Sequence, residues 1–403
     1  MTREYANFAQ INSNCFSNIQ TVVSVDCSNL PWENNNMYNA FYNCRNLQSV
    51  TNINDSVTNM ASTFSYCTSL INAPEIPNSV TSMYGTFFNC SNLVNAPVIP
   101  NSVTNMSYTF SSCRNLVNAP IIPNSVTDMS RTFSGCNNLA NAPTIPNSVT
   151  NMTYTFSSCN NLANAPTIPN SVTNMSWTFY MCRNLINAPE IPNSVVDASG
   201  FISHCSQFFS PEKYPEIPQS VQRLDYMFAG MTNTATDVPQ WCLDKWNNCS
   251  ANVKTSMAGM FYDWIALKNT PEIPNSVTNM SHTFYMCRNL INAPEIPNSV
   301  TNMYETFCLC YNLVNTPVIP NSVTNMYETF RYCNNLTGNV YIQSNQITTA
   351  TNCFNNTSLT KNVYIPFTYT NGDNTQTYNS FISAGYDTAG TTNGVYLKDI
   401  ELL

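Results

Sequence analysis

The sequence predicts an α/β repeat solenoid, a right-handed array of about 15 coils with short parallel strands and short helices. One phrase, seen as NAPIIPNSVTDMSRTF at 118–133, recurs along the chain, and its methionine returns every 23 residues. A period of about 20 to 29 residues with fixed apolar columns is typical of coils that bury their apolar side against one another. The methionines in this register are Met37, Met60, Met83, Met106, Met129, Met152 and Met175, then Met257, Met280, Met303 and Met326.

Composition favours a folded chain and excludes some partners. Only 9% of the 403 residues are charged, whereas 43% are hydrophobic, the reverse of a disordered chain. The net charge is −8 and no basic stripe is present, which argues against nucleic-acid binding and against attraction to anionic membranes. The N-terminal residues lack the apolar run of a secretory signal, and no stretch is long enough for a membrane span. We therefore expect no membrane insertion.

Each coil divides into a predicted helix and a predicted strand. We number the coil from its methionine, so Met106 is position 1 of its coil. Met106, Phe110 and Cys113 follow an i, i+4, i+7 spacing, which predicts a short helix with a Ser, Thr or Asn cap before it. The residues from Leu116 to the next turn contain two prolines, which lack N–H donors, so we expect parallel strands of about two to four residues there.

This pattern resembles the BspA-like leucine-rich repeat family. The matching residues are Ile122–Pro123–Asn124–Ser125–Val126–Thr127, Met129, Thr132–Phe133, Cys136 and Leu139. The resemblance covers roughly residues 37 to 340 and implies a surface protein that adheres to host or partner molecules. Two departures stand out: Thr-Phe replaces the family's Ala-Phe, and the strand gains one residue with a proline.

Breaks in the repeat predict five segments. An N-terminal cap and degenerate first coil occupy 1–36, regular repeats 37–205, irregular coils with an insertion 206–256, regular repeats 257–337, and a small β-rich cap 338–403. The insertion contains DVPQWCLDKWNNCS, whose pattern predicts an amphipathic helix bearing Trp241 and Trp246.

The 17 cysteines are interpreted as buried, reduced thiols rather than disulfides or metal ligands. Most of them share position 8, and metal sites need clustered spacings such as C-x-x-C. Cys242 and Cys249 lie close enough in sequence to pair, but free thiols are favoured. We expect no metal and no cofactor. The predicted structural core ladder includes Cys113, Cys136 and Cys159 with Phe110, Phe133 and Phe156.

Two variable columns and the insertion carry the candidate binding residues. Position 3 holds Tyr108, Arg131, Tyr154 and Trp177 in successive coils and should face solvent. These aromatic residues could stack on sugars or on a partner surface, or they could be ordinary surface residues. Position 16 also varies, for example at Ile121. Trp241 and Trp246 are the other binding candidates, unless they only fill their own insertion.

No catalytic motif appears, so we do not predict an enzyme. The two histidines, His204 and His282, lie in repeat coils, and Glu190 and Glu216 offer only a weak carboxylate pair. Stacked repeats form an extended surface rather than a catalytic cleft, which predicts non-enzymatic recognition or attachment.

Three placements follow from that function. The first is a phage virion component, such as a fibre or a head or tail decoration. The second is a bacterial or protist cell-surface adhesin, and the third is an intracellular, cytoplasmic scaffold. The expected partners are a host-surface protein or glycan, or other virion proteins, and a homo-oligomer is left open.

Overall fold

A repeat fold is present throughout the computed structural model, which describes residues 11–231, 234–357, 361–366, 375–387, 389–390 and 395–399. The chain divides into two compact units, Met1–Val221 and Gln222–Leu403. Within each unit, a residue lies beside the residue 23 positions further along, as Asn118 does beside Asn141. The number of coils, the hand of the array and the five predicted segments stay predictions.

Regular secondary structure is sparse in the described residues. The helices are α1, Gln240–Asn247, and α2, Gln376–Ser383. The strands are β1, Ser24–Asp26; β2, Ser49–Thr51; β3, Val340–Tyr341; β4, Lys361–Ile365; and β5, Val395–Asp399. Short 3-10 turns lie at Glu33–Asn35, Ser206–Phe208 and Val253–Thr255. Neither helix in this described part has the length or apolarity to span a bilayer.

The strands form two small parallel sheets. In the first unit β1 pairs with β2, with Val25 beside Val50. In the second unit β3, β4 and β5 form a sheet in that order. In the same unit, the ring centre of Phe381 in α2 lies 6.3 Å from that of Phe354. The C-terminal segment, predicted as β-rich, therefore also contains a helix.

The predicted helix between Met and Cys of each coil is wrong, because this stretch is a chain of turns. The N–H of Thr109 closes a turn by donating to the carbonyl of Met106 at 3.0 Å. The N–H of the preceding Tyr108 instead donates to Ser130 in the next coil at 2.9 Å. Alternate N–H groups continue this division, so the backbone is satisfied without i to i+4 bonds.

Left-handed residues explain why a helix cannot form there. Tyr108 at position 3 has φ of 58° and Ser112 at position 7 has φ of 63°. Each sits at the second inner residue of a turn, where type II geometry requires a positive φ. An α-helix does not tolerate such residues. Met, Phe and Cys at this i, i+4, i+7 spacing therefore point into the stack because of consecutive β-turns, not because of a helix.

The predicted strands are shorter than expected. They lie in the predicted stretch, after the leucine of each coil. Each consists of a single parallel bridge, such as Asn95–Asn118 or Asn118–Asn141. A second line of bridges joins Asn105, Asp128 and Asn151. The prolines that follow the first line lack N–H donors, which limits each ladder to one residue.

Apolar columns fill the interior of each coil. Phe110, Phe133 and Phe156 are fully buried and stack at ring-centroid distances of 5.8 and 5.7 Å. Thr132 stands where the family has alanine, and its buried hydroxyl donates at 2.9 Å to the Met106 carbonyl of the preceding coil. The Thr-Phe departure is therefore part of the contact between coils.

Candidate functional site

A continuous strip of side chains runs along the turn face of the first unit. It links eight rings and one guanidinium at positions 3, 6 and 7 of successive coils, each half-buried and each in contact with the next. We call this set the first strip: Tyr42, Tyr66, Phe88, Tyr108, Arg131, Tyr154, Trp177, Tyr180 and His204. It contains the four position-3 candidates from the sequence.

Arg131 lies between two tyrosines at the centre of the first strip. Its guanidinium carbon is 5.3 Å from the ring centre of Tyr108 and 4.2 Å from that of Tyr154. Such cation–π contacts are stabilising and hold the guanidinium in one place. The centre of the first strip therefore presents a fixed positive charge between two flat apolar faces.

Trp177 continues the first strip by stacking on Tyr154. The two rings lie 5.7 Å apart and 7° from parallel, and Tyr180 meets Trp177 edge-on at 5.3 Å. Burial and the neighbouring Arg131 have opposed effects on Tyr154, and burial prevails, so the pKa of its phenol is raised. Tyr154 thus remains a neutral hydrogen-bonding group at physiological pH.

The position-3 side chains do not project freely into solvent, contrary to the sequence expectation. Tyr108, Arg131, Tyr154 and Trp177 are each half-buried. Their left-handed backbone, with φ between 55° and 58°, leaves each side chain in contact with that of an adjoining coil. One face of each group is covered and the rest remains accessible.

The second unit carries a similar set of rings, which we call the second strip. Tyr262 and Tyr285 stack at 5.0 Å, as do Tyr304 and Tyr327. His282 joins the two pairs, at 5.7 Å from Tyr285 and 5.1 Å from Tyr304. In the last three regular coils, position 3 holds His282, Glu305 and Glu328 rather than tyrosine or tryptophan.

Sequence reasoning missed the aromatic residues outside position 3. Tyr180, Tyr262 and Tyr285 stand at position 6, and Tyr304 and Tyr327 at position 2. The available signal was that many of the 22 tyrosines fall between the methionine and the cysteine of a coil, as Tyr180, Tyr285 and Tyr304 do. Position 3 alone gives a broken column, whereas positions 2 to 7 together give a connected surface.

Position 16 forms a separate exposed column, 13 positions away along the coil. Ile121 is 91% exposed and Val98 is 88% exposed, and Thr144, Thr167 and Glu190 are exposed as well. Two neighbouring aliphatic side chains in solvent form a small apolar patch. Exposed apolar residues are common on protein surfaces, so this column is weaker evidence for a binding surface than the two strips are.

The insertion forms the predicted helix α1 but does not present both tryptophans. Trp246 is only 2% exposed, so its assignment as a partner-binding residue is wrong. It occupies the inner face of α1 with Cys242. Trp241 is half-buried and meets Phe228 edge-on at 5.6 Å. This helix mainly fills its own insertion.

A groove of about 590 Å³ lies beside α1 in the second unit. Its lining includes Asp237, Leu243, Asn247, Asn269 and Glu272, and Nδ2 of Asn269 donates to Oδ1 of Asp237 at 2.7 Å. Hydrogen bonds from Asn269 and Thr236 lower the pKa of Asp237, so this part of the lining is negatively charged. The groove is open and polar and contains no nucleophile paired with a base.

The column cysteines are buried free thiols that bond to the neighbouring coil. Cys136 donates from its sulfur to the Phe110 carbonyl at 3.1 Å, and Cys159 does the same to Phe133 at 3.1 Å. Burial raises the pKa of these thiols well above the ordinary value, which keeps them protonated. Cys242 and Cys249 are also free.

The residues considered for catalysis do not form a site. Glu190 and Glu216 are exposed, and His204 is a member of the first strip. Nδ1 of His204 lies 2.9 Å from the hydroxyl of Ser203, but Ser203 is 1% exposed and cannot be reached by a substrate.

A family match covers most of the chain. The chain matches the BspA type leucine rich repeat region, in 6 copies, over residues 5–117, 87–208 and 253–381. No curated protein matches the sequence. The crystal structure of a leucine-rich repeat protein from Bacteroides ovatus is similar, with 21% identity, a TM-score of 0.41, and coverage of 86% of this chain and 87% of that chain. A leucine rich cell surface protein from Faecalibacterium prausnitzii has 20% identity, a TM-score of 0.45 and 85% coverage of both chains. Since the repeat matches span well over half of the sequence, the chain belongs to the BspA-type leucine-rich repeat family.

Proposed function

We propose that the protein is a non-enzymatic recognition protein that attaches to a partner surface through the first strip. The observation that carries this proposal is the unbroken contact from Tyr42 to His204, with Arg131 at its centre. With coils about 4.8 Å apart, the first strip extends for roughly 35 Å. A surface of that length engages an extended partner rather than a small substrate.

The chemistry of the first strip suits a glycan or a protein surface. Half-exposed tyrosine and tryptophan rings offer flat apolar faces with polar edges, which bind sugar rings and apolar side chains alike. Arg131 adds N–H donors that are already held in place, so its side chain loses little further conformational entropy on binding. Repeated weak contacts along one rigid face add up by avidity when the partner is also repetitive.

Family membership favours placement on a cell surface, because BspA-type repeat proteins are typically surface proteins. The phage virion placement receives no support from the comparisons and stays a hypothesis, as does the intracellular scaffold. Labelling intact producing cells with antibodies against the protein distinguishes these placements. Surface labelling supports the adhesin, whereas detection by mass spectrometry in purified virions supports the virion component.

Binding by the first strip is tested with the purified full chain on a glycan array and on intact candidate host cells. We expect Tyr154→Ala and Arg131→Gln each to weaken binding at least tenfold, because each removes a contact at the centre of the first strip. Ile121→Ala is the matched control, since this residue is 91% exposed and lies in the other variable column. Equal loss with Ile121→Ala, or no loss with the first two variants, would count against the first strip.

A further inference from the structure

Three potential metal ligands converge where two successive coils of the second unit meet. Glu305 stands at position 3 of one coil, Cys308 at position 6 of the same coil, and Glu328 at position 3 of the next. One ligand atom of each, two carboxylate oxygens and one sulfur, lie within 4.8 Å of one another. Cys308 and Glu328 are buried and Glu305 is half-buried.

Cys308 differs from the column cysteines in what its sulfur meets. Cys310, two residues on, donates to the Phe284 carbonyl at 3.1 Å, as the other column thiols do to theirs. Cys308 is 2% exposed, yet its sulfur makes no hydrogen bond within the described part of the chain. A thiol is only a weak hydrogen-bond donor, but this buried one lies within 4.8 Å of an oxygen of each of two carboxylates.

The burial and the charges around Cys308 keep its thiol protonated when no cation is bound. Burial, together with the charges of Glu305 and Glu328, raises the pKa of Cys308 to about 12. Arg331 already pairs with Glu328, so a divalent cation between these groups would offset chiefly the charge of Glu305 and would bind the sulfur. It would displace the thiol proton, because the thiolate is the form that binds metal.

Glu328 is already oriented as a second ligand would be. Its Oε2 accepts from Nη1 of Arg331 at 2.6 Å, and its Oε1 accepts from Nδ2 of Asn352 at 3.1 Å. Carboxylate oxygens have further lone pairs, so these bonds hold the group without blocking it. Hydrogen-bonded ligands of this kind are usual around protein metal centres.

We propose that Glu305, Cys308 and Glu328 form a binding site for one divalent transition-metal ion of the zinc class. The set of one sulfur and two carboxylate oxygens favours Zn²⁺ or Co²⁺ over Mg²⁺ and Ca²⁺, which avoid thiolates. Three protein ligands leave a fourth position for water. Glu305, whose side chain is 15% exposed, gives the ion a path from solvent.

His282 extends the site on the Glu305 side. Its Nε2 lies 3.7 Å from Oε2 of Glu305, and its Nδ1 lies 3.3 Å from the hydroxyl of Tyr226. Burial lowers the pKa of His282, against the opposing effect of Glu305, so the imidazole is neutral at physiological pH. His282 lies outside the group of three converging ligand atoms, so its place is beside Glu305 rather than in the coordination of the ion.

The proposal is tested by titrating the chelator-treated full chain with Co²⁺ and then with Zn²⁺. We expect one Co²⁺ per chain, with the near-ultraviolet absorption of a cobalt–thiolate bond, and displacement of that absorption by Zn²⁺. Cys308→Ser should abolish the absorption, and Glu305→Gln should weaken Co²⁺ binding at least tenfold. Glu295→Gln, at an exposed position of the second unit, should leave binding unchanged.

A native circular dichroism spectrum for each variant separates loss of ligand from loss of fold. As a second readout, Zn²⁺ should raise the Tm of the unaltered chain but not that of Cys308→Ser. No cobalt–thiolate absorption in the unaltered chain would overturn the proposal. Absorption that persists in Cys308→Ser would also overturn it, since the thiolate would then be another cysteine.

Discussion

Trp177 lies over Gly200 of the next coil, in space that any other residue at position 200 would need. A Cβ added to Gly200 would come within 2.7 Å of Cε3 of the indole. The same relationship recurs in the second unit, where a Cβ on Gly259 would meet the ring of Tyr226. Glycine at position 3 therefore lets the preceding coil place a large ring flat on the turn face.

Gly200→Ala should destabilise the first unit and displace the indole of Trp177. The substitution adds the clash with Trp177 to the strain of a φ near 59°, so the cost should exceed the roughly 1 to 3 kcal/mol of backbone strain alone. Gly85→Ala is the matched control, with φ of 58° but no atom closer than 3.4 Å. Chemical unfolding and tryptophan fluorescence measure both effects, and equal losses for the two variants would contradict the role of Trp177.

The buried threonine column should contribute to the contact between coils through its hydroxyl. Thr132→Val keeps the shape but removes the bonds to the carbonyls of Met106 and Met129, which we expect to cost about 1 kcal/mol. Thr127→Val is the control, because Thr127 is exposed and its contact is 3.4 Å long. Urea unfolding gives the free-energy difference, and a loss no larger than that of the control would refute this role.

The native protein should be almost inert to thiol reagents despite its 17 cysteines. Burial raises the pKa of the column thiols, and reaction requires the thiolate. Cys15 is half-buried, with its pKa raised to about 12 chiefly by burial, so we expect it to react only slowly. A colorimetric thiol assay should detect all 17 after unfolding, and rapid reaction of several in the native state would disprove the buried column.

Glu328 should contribute to stability at neutral pH and lose that contribution in acid. Burial alone raises the pKa of Glu328, but hydrogen bonds from Arg331, Asn352 and Tyr327 outweigh it and lower the pKa below its ordinary 4.5. A carboxyl with a lowered folded pKa stabilises the protein above its unfolded pKa, and this stability is lost as the pH falls through the folded value.

Glu328→Gln should therefore reduce the fall in Tm as the pH is lowered from neutral to well below 4.5, because it removes the carboxylate that becomes protonated in acid. Glu295→Gln, an exposed carboxylate of a nearby coil, should leave that fall unchanged. An identical pH dependence for Glu328→Gln and the unaltered chain would show that the ion pair with Arg331 does not couple to folding.

The repeat period was readable from the sequence because each buried column repeats one residue type. Met, Phe and Cys positions such as Phe133 and Cys136 are buried as the pattern indicated. The stretch between Met and Cys was mispredicted as a helix, because consecutive turns give its apolar residues the same i, i+4, i+7 spacing. The N–H groups of these turns bond to the next coil. Glycine at positions 85, 200 and 259 of the position-3 column was a signal of positive φ, but tyrosine and arginine in the same column obscured it.

The candidate surfaces could be predicted only in part from the sequence, because they depend on contacts between stacked coils. Position 3 indicated Tyr108, Arg131, Tyr154 and Trp177, but the connected strip depends on rings at positions that meet only after folding. The meeting of Glu305, Cys308 and Glu328 also depends on stacking, since 23 residues separate the two carboxylates in sequence. The prediction that Trp246 binds a partner was wrong, because Trp246 lies on the buried face of α1.

Oxidative footprinting of the full chain, free and bound to the glycan or cell surface found by screening, tests the central claim most directly. If the first strip binds, Tyr108, Tyr154 and Trp177 should be protected on binding, while Trp241 of the insertion should react equally in both states. Protection confined to Trp241, or no protection of the first strip while binding is intact, would contradict recognition by this surface.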